Sequence, residues 1–521
     1  MRFCAALALL FLASISKAGT SSVEFYSVSI SMSGDTLHKT VSFRGTQGSD
    51  RILSRIARGF DPQFQTVHLE RAAFGPSPGD CRDVPEWAVD TLGSAGTWPR
   101  TLVVAFPALA PGMSVEYEVS ISDWSENWRH GPWAVLYPQM KGIRPDTCQF
   151  TVIYDDPDEL SWSAEGYRMD ENGNSFTFQA LDSAGVLAFS PFGSYRRLRD
   201  FLLAGADSIL NSQYPPDLRE AALQATSAGA LHPAQALRAR TLLCNSIAPS
   251  NAGAENGLTR VRPIQDVLDS RSANPLETAV VFAAMCRSLG METSILPASE
   301  TPLPVPVPGH WDRYLVEIVS DQGDAFTVEP SSYLAEAQFI FRPDTLYVIG
   351  NGKLEAMEPN PPSENVLSEE WTLDLNTGQF SLELDCSGWF DMDLRRRTAG
   401  LSREEVILHL AQWSWLSGRT IVPDSAVHSD PFTLDSPMRA QVTGSAWEEA
   451  ERGELYRLLP VLNWDIPWGV EVSVSRTWRV EGSSEASADR RLSVDVTEEG
   501  VIIEDDTTVS KPPLVLLKAG L

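Results

Sequence analysis

Ser272-Ala273-Asn274-Pro275-Leu276-Glu277-Thr278, continuing through Ala279-Val280-Val281-Phe282-Ala283-Ala284-Met285-Cys286 to Arg287-Ser288-Leu289-Gly290, is the stretch from which the rest of the chain is read. It predicts a capped, buried helix. Asn274 is a good N-cap, and Pro275 suits the first helical position, where an N–H has no intrahelical partner anyway. Glu277 stands three residues after the cap and completes a capping box. Gly290 supplies the stop. The apolar run 279–285 leaves no polar face, which places the helix inside a core.

Beyond a Pro-rich loop, residues 311–319 and 325–328 predict two strands, and Tyr314-Leu315-Val316-Glu317-Ile318 alternates as a half-buried strand does. Asp321-Gln322-Gly323-Asp324 would join them as a hairpin. With its centre on residue 321, Arg313 and Glu329 face each other and are expected to form an ion pair.

A capped helix followed by a hairpin resembles the core of the transglutaminase-like proteins, relatives of papain-type enzymes. That family's helix opens on a Gly-Asp-Cys type motif and ends in something like Leu-Arg-Ser-x-Gly; Cys286-Arg287-Ser288-Leu289-Gly290 is similar to that ending. Its histidine lies on the first strand, and its aspartate precedes a proline at the end of the second. Carried onto this chain, the cysteine position is Pro275, the histidine position Arg313 and the aspartate position Glu329, in Val328-Glu329-Pro330-Ser331. All three depart from the pattern, so the resemblance implies the fold and speaks against the activity.

The chemistry agrees. Acyl transfer through a thiol needs a thiolate lowered in pKa by a helix N-terminus and an imidazole. Proline has no nucleophile, and arginine stays protonated and cannot act as a general base. Cys286 is no substitute, because eleven residues along a helix carry it ~16 Å from Pro275. It reads as a buried structural thiol. His310 would fall on the opposite strand face from Arg313, roughly 10 Å away, and Ser272 precedes the cap on its loop side.

The 521 residues exceed one ordinary domain, and a composition 43% hydrophobic and 21% charged with 15 tryptophans is that of a folded protein. Met1-Arg2, the apolar residues 3–15 and Ser16-Lys17-Ala18 read as a secretory signal peptide, too short to span a bilayer. Cys4 is badly placed for lipid modification, so a periplasmic or secreted chain without a membrane span is expected. A formal net charge of −28 repels nucleic acid and anionic lipid. Outside the leader five cysteines remain, too sparse for a disulfide scaffold; Cys81 and Cys148 are the pairing expected if one forms.

Residues 23–196 read as short alternating strands with Gly, Pro and Asp punctuation, a β-sandwich-like pattern. Phe106-Pro107-Ala108-Leu109-Ala110-Pro111-Gly112 and Ser114-Val115-Glu116-Tyr117-Glu118-Val119 resemble a domain of unknown function that precedes the transglutaminase-like core in a group of exported bacterial proteins. Trp124, Trp128 and Trp133 crowd one stretch with Asp123 and His130. They read either as an aromatic platform for a sugar or peptide, or as packing against a neighbouring domain. Residues 195–248 turn helical, with prolines opening helices at 216 and 233. After Pro359–Pro362 strands resume, with a hairpin around Asn376-Thr377-Gly378 and a helix from Ser402 to about Leu416.

The expected architecture is α+β and multidomain: a signal peptide over 1–18, a β-rich domain over 19–196, a papain/transglutaminase-like core over 197–362 and a β-rich domain over 363–521. The expected role is non-catalytic, binding a protein, peptide or glycan in the cell envelope, with no cofactor, metal or nucleic acid. The alternatives are a cysteine-protease-like or acyltransferase enzyme with its nucleophile elsewhere, and a carbohydrate-binding protein using the three tryptophans.

Overall fold

The structure, a computed structural model, describes residues 20–510 except for 93–99, 182–184, 251–260, 336–338, 407–421, 446–469, 482–486 and single or paired positions, His310 among them. The signal-peptide reading, and most of the helix predicted after Ser402, lie outside the described residues. The chain is α+β and multidomain, with several β-sheets flanking a more helical centre.

In the N-terminal part an eight-stranded sheet runs, edge to edge, through Tyr167–Asn172, Ser175–Ala180, Pro145–Ile153, Ser22–Ser33, Thr36–Thr46, Ser114–Asp123, Gln65–Gly75 and Arg82–Asp83. Its first strand explains the rest. Val28 and Ile30 are buried while Ser27, Ser29 and Ser31 are not. Period-2 patterning therefore gives the sheet one apolar face. The register aligns Phe178 with Phe150, Phe150 with Val28, Val28 with Val41 and Val41 with Val119 in one inward row. Two short three-stranded sheets cover that face. Arg55–Phe60, Val89–Leu92 and Arg100–Ala105 bring Ile56, Leu102 and Val104 against Phe43 and Tyr117. Ala134–Leu136, Ser161–Glu165 and Val186–Ser190 bring Leu136, Leu187 and Phe189 against Phe150 and Phe178.

Cys81 and Cys148 are both free thiols. Cys148 points into the core from Pro145–Ile153, whereas Cys81 precedes the edge strand Arg82–Asp83. Four strands stand between those two, a separation of about 24 Å at ordinary strand spacing. The expected pairing is thereby corrected.

Among the described residues the centre holds five helices, α1 (Tyr195–Leu210), α2 (Pro216–Ala225), α3 (His232–Ser246), α4 (Ile264–Ser270) and α5 (Pro275–Ser288). They pack on an antiparallel sheet ordered Ala325–Val328, Arg313–Val319, Glu292–Ser299, Leu346–Gly350, Lys353–Met357. Every residue of α5 from Leu276 to Cys286 is buried, the apolar run 279–285 by its composition and Glu277 and Thr278 beside the cap. Leu276, Ala279 and Val280 share one core with Tyr314, Val316 and Val328. The C-terminal part is a seven-stranded sheet with α6 (Trp389–Thr398) laid on it through Trp389, Phe390 and Leu394. The strands that flank the predicted turn at Asn376-Thr377-Gly378 pair antiparallel, with Asp374 opposite Gln379. Among the described residues no helix is long and apolar enough to cross a membrane.

Candidate functional site

Asn274 caps α5 as its sequence predicts. Its Oδ1 accepts from the Glu277 N–H at 2.8 Å, and Glu277 Oε2 accepts from the Asn274 N–H at 3.1 Å. Pro275 is the first helical residue and is half-buried. The buried Glu277 carboxylate does more than cap, because Arg262 grips it through Nε at 2.7 Å and Nη2 at 2.8 Å. Arg262 also reaches the Ser272 carbonyl at 2.7 Å, tying the loop before the cap to the helix start. That carboxylate holds the Arg262 guanidinium above its ordinary pKa, chiefly by hydrogen bonding.

Arg313 begins its strand and Glu329 directly follows the next one. They form a bidentate pair, Arg313 Nε to Glu329 Oε1 at 2.8 Å and Nη2 to Oε2 at 2.7 Å. Arg313 Nη1 donates to Glu300 at 2.7 Å, and Nη2 also donates to the Phe341 carbonyl at 2.8 Å. The side chains are only 15% and 7% exposed. Burial works against the Arg313 charge, but hydrogen bonds and attraction from Glu329 and Glu300 outweigh it and raise its pKa. The register places Val316 opposite Val328 and Val319 opposite Ala325, which centres the hairpin on 322, one residue later than expected. Arg313 and Glu329 are therefore diagonal neighbours, a gap that a long arginine spans.

A second arginine fixes the backbone at this place. Arg240 on α3, fully buried, donates to the carbonyls of Glu329 at 3.2 Å, Ser332 at 2.5 Å and Ala335 at 2.9 Å. Sequence reasoning missed it, although the signal was there. Ala236, Ala239, Arg240 and Leu243 form one helical stripe, and an arginine in a core stripe must find buried acceptors. Arg396 on α6 lies within electrostatic reach of Glu329 as well; burial lowers its pKa, while Asp393 and Glu329 oppose that.

At this pair the guanidinium is a fixed charge and cannot accept a proton. Cys286 has no exposed atoms to speak of, and burial raises its pKa strongly. Burial pushes Cys148 up to about 12 and also raises Cys81, Cys244 and Cys386. Ser272 lies in a two-residue strand beside Ala248–Pro249, with its hydroxyl 3.5 Å from that of Ser270. Among the described residues no group of His, Cys, Asp and Glu is arranged to hold a metal.

The three tryptophans are divided. Trp128 and Trp133 are buried at 5% and 6% exposure with their rings stacked 5.0 Å apart. They share a core with Val305, Val307 and Trp311 of the central part, and Gly309 lies close enough that a Cβ there would stand 3.7 Å from the Trp133 ring. Only Trp124, 44% exposed, offers a face to solvent. A flat three-ring platform is absent, because apolar contact with the loop 305–311 draws two of the rings inside.

No protein-family model matches the chain, and no curated protein matches it. Among solved structures the fold is similar to that of a Parabacteroides distasonis protein provisionally named a protease. The TM-score is 0.58 and the identity 12%, over 94% of this chain and 92% of that one. At that identity the likeness shows the fold alone. An M1 zinc metallopeptidase from Deinococcus radiodurans aligns over 33% of this chain and 42% of its own, at 14% identity and a TM-score of 0.20. Yeast LTA4 hydrolase aligns over 33% of this chain and 29% of its own, at 9% identity and 0.21. Neither carries weight at those scores.

Proposed function

We propose that this chain is an exported, transglutaminase-like protein that has given up catalysis and acts by binding or scaffolding in the cell envelope. The observation that carries the proposal is the Arg313–Glu329 pair, closed by Glu300 and the Phe341 carbonyl, at the positions matched to a catalytic histidine and aspartate. An imidazole–carboxylate pair moves a proton; a guanidinium–carboxylate pair does not. The helix start supports the same reading, since Pro275 carries no nucleophile and the capping box already uses Asn274 and Glu277. The competing reading is an enzyme with its nucleophile elsewhere in the fold, and the Parabacteroides protein's provisional name, a protease, is the reason to test it.

Thiol labelling joined to an activity assay separates the two. The native protein should react slowly with iodoacetamide near neutral pH at the four buried thiols, Cys148, Cys244, Cys286 and Cys386, and readily once unfolded, because buried neutral thiols are inert until exposed; the part-exposed Cys81 is slowed only by its raised pKa. Glutamine–lysine and peptide-amide substrates should show no turnover. One fast-reacting cysteine, located by mass spectrometry, whose alkylation abolishes an acyl-transfer or peptidase activity would overturn the proposal.

A further inference from the structure

A cleft of about 630 Å³ lies where the N-terminal sheets meet the first central helix, and none of its lining residues belongs to the site above. One wall is a stripe of α1. Arg197, Asp200, Phe201 and Ala204 recur at i, i+3, i+4 and i+7 and so share one helix face. The other wall is His130, Glu159, Pro191 and Phe192. His130 comes from the tryptophan-rich stretch, which thus contributes its imidazole to a cavity and two of its indoles to the core.

Three rings line one part of the cleft. His130 meets Phe192 at 5.9 Å and Phe201 at 5.6 Å, both edge to face, and Phe192 lies 4.8 Å from Phe201. Phe192 is buried and Phe201 partly so, which holds the aromatic surface in place before any ligand arrives. Glu159 and Asp200 are exposed carboxylates on opposite walls. Among the described lining residues Arg197 is the one permanent cation against Glu159 and Asp200, an excess of one negative charge. The chain as a whole, at −28, raises the local concentration of cations further. Ring faces are negative and favour the same sign of ligand. The volume suits a small molecule.

We propose that this cleft binds a small organic cation, a protonated amine on an aromatic or aliphatic body, with the amine facing Glu159 and Asp200 and the body against Phe201 and His130. The inference is independent of whether the Arg313–Glu329 site is catalytic.

The test uses the full chain and a pair of probes alike in shape and opposite in charge, phenethylamine and phenylacetate, followed by calorimetry and ligand-observed NMR. Phenethylamine should saturate a single site and phenylacetate should not. Glu159→Gln, Asp200→Asn and Phe201→Ala should each weaken phenethylamine about three- to tenfold. The first two remove exposed charges and should leave the melting temperature unchanged, so a loss of binding there is not a loss of fold. Glu383→Gln, which removes an exposed carboxylate of the C-terminal sheet far from the cleft, should leave the affinity as it is. Phenylacetate binding as tightly as the amine, amine binding indifferent to all three substitutions, or no saturation up to the solubility limit would each overturn the proposal.

Discussion

A guanidinium held by two carboxylates and a carbonyl is a fixed charge, and Arg313 is held in that way by Glu329, Glu300 and Phe341. Removing it leaves Glu329 with its own side-chain partner gone and little water to replace it. Arg313→Ala should therefore cost on the order of 3 kcal/mol in urea unfolding, where an exposed pair would cost under about 1 kcal/mol. A loss inside the smaller range would show that the pair is solvated in solution. Lys39 presents the opposite case, a cation facing inward from Thr36–Thr46 between Ile30 and Ile121. Burial, with a smaller contribution from Arg58, pulls its pKa down to about 7. From there up to the ordinary lysine range the unfolded chain binds a proton that the folded chain does not. Stability should accordingly rise with pH across that window, and below it the full cost of burying the charge is felt. Lys39→Met should be more stable than the parent near pH 7, and the advantage should shrink as the pH is raised towards 10. Unfolding midpoints of both proteins at several pH values check this, since other titrating groups cancel in the difference. A gap that does not narrow would refute it.

At the scale of elements, the start of α5 is the part to perturb. Asn274 is buried and satisfies the Glu277 N–H, so Asn274→Ala should destabilise by about 1 kcal/mol or somewhat more, whereas Pro275→Ala should do little. The reverse order in thermal melts would mean that the helix begins elsewhere, and the matching of Pro275 to a lost cysteine would fall with it. This element was legible because every signal was local: cap, proline, box, apolar run and glycine stop lie within seventeen residues. The strands Arg313–Val319 and Ala325–Val328 were legible by alternation, and their pairing was off by one residue, because a turn's centre depends on backbone geometry that composition does not fix. The strands Glu292–Ser299, Leu346–Gly350 and Lys353–Met357 of the central sheet escaped notice, and so did two helices. α4 is a single short helix beside a polar loop. α6 has its signature in the i,i+4 pairs Asp391–Arg395 and Asp393–Arg397, which look like a solvated face until both members of the first pair prove to be fully buried. Glu277 and Arg262, fifteen residues apart, show why the site was only half visible: the capping role is local, but the partner across the loop is not.

At the scale of the whole molecule the three parts are knitted together. The N-terminal core runs on into Leu198 and Leu202 of α1 and into Val305, Val307 and Trp311. Ala335 and Phe339 of the central part sit in the core of the C-terminal sheet, and Asn245 on α3 donates to the Phe432 carbonyl. Arg240 thus holds a loop whose far end, at Ala335, is already part of the next core. Both β-rich parts also share a device. In each, an early strand pairs antiparallel with its neighbour and parallel with a strand much later in the chain: Ser22–Ser33 with Pro145–Ile153, and Val366–Asp374 with Val472–Glu481. This sets an order of events for a chain that emerges from its N-terminus. Until residue 153 has appeared, one whole side of Ser22–Ser33 is an open row of N–H and C=O groups, and such an edge recruits other chains. Closing it also requires a long loop to be ordered first, which is slow. The opening strand therefore spends the early life of the molecule as its most adhesive part, and a fragment cut short of that closing strand would keep it so permanently.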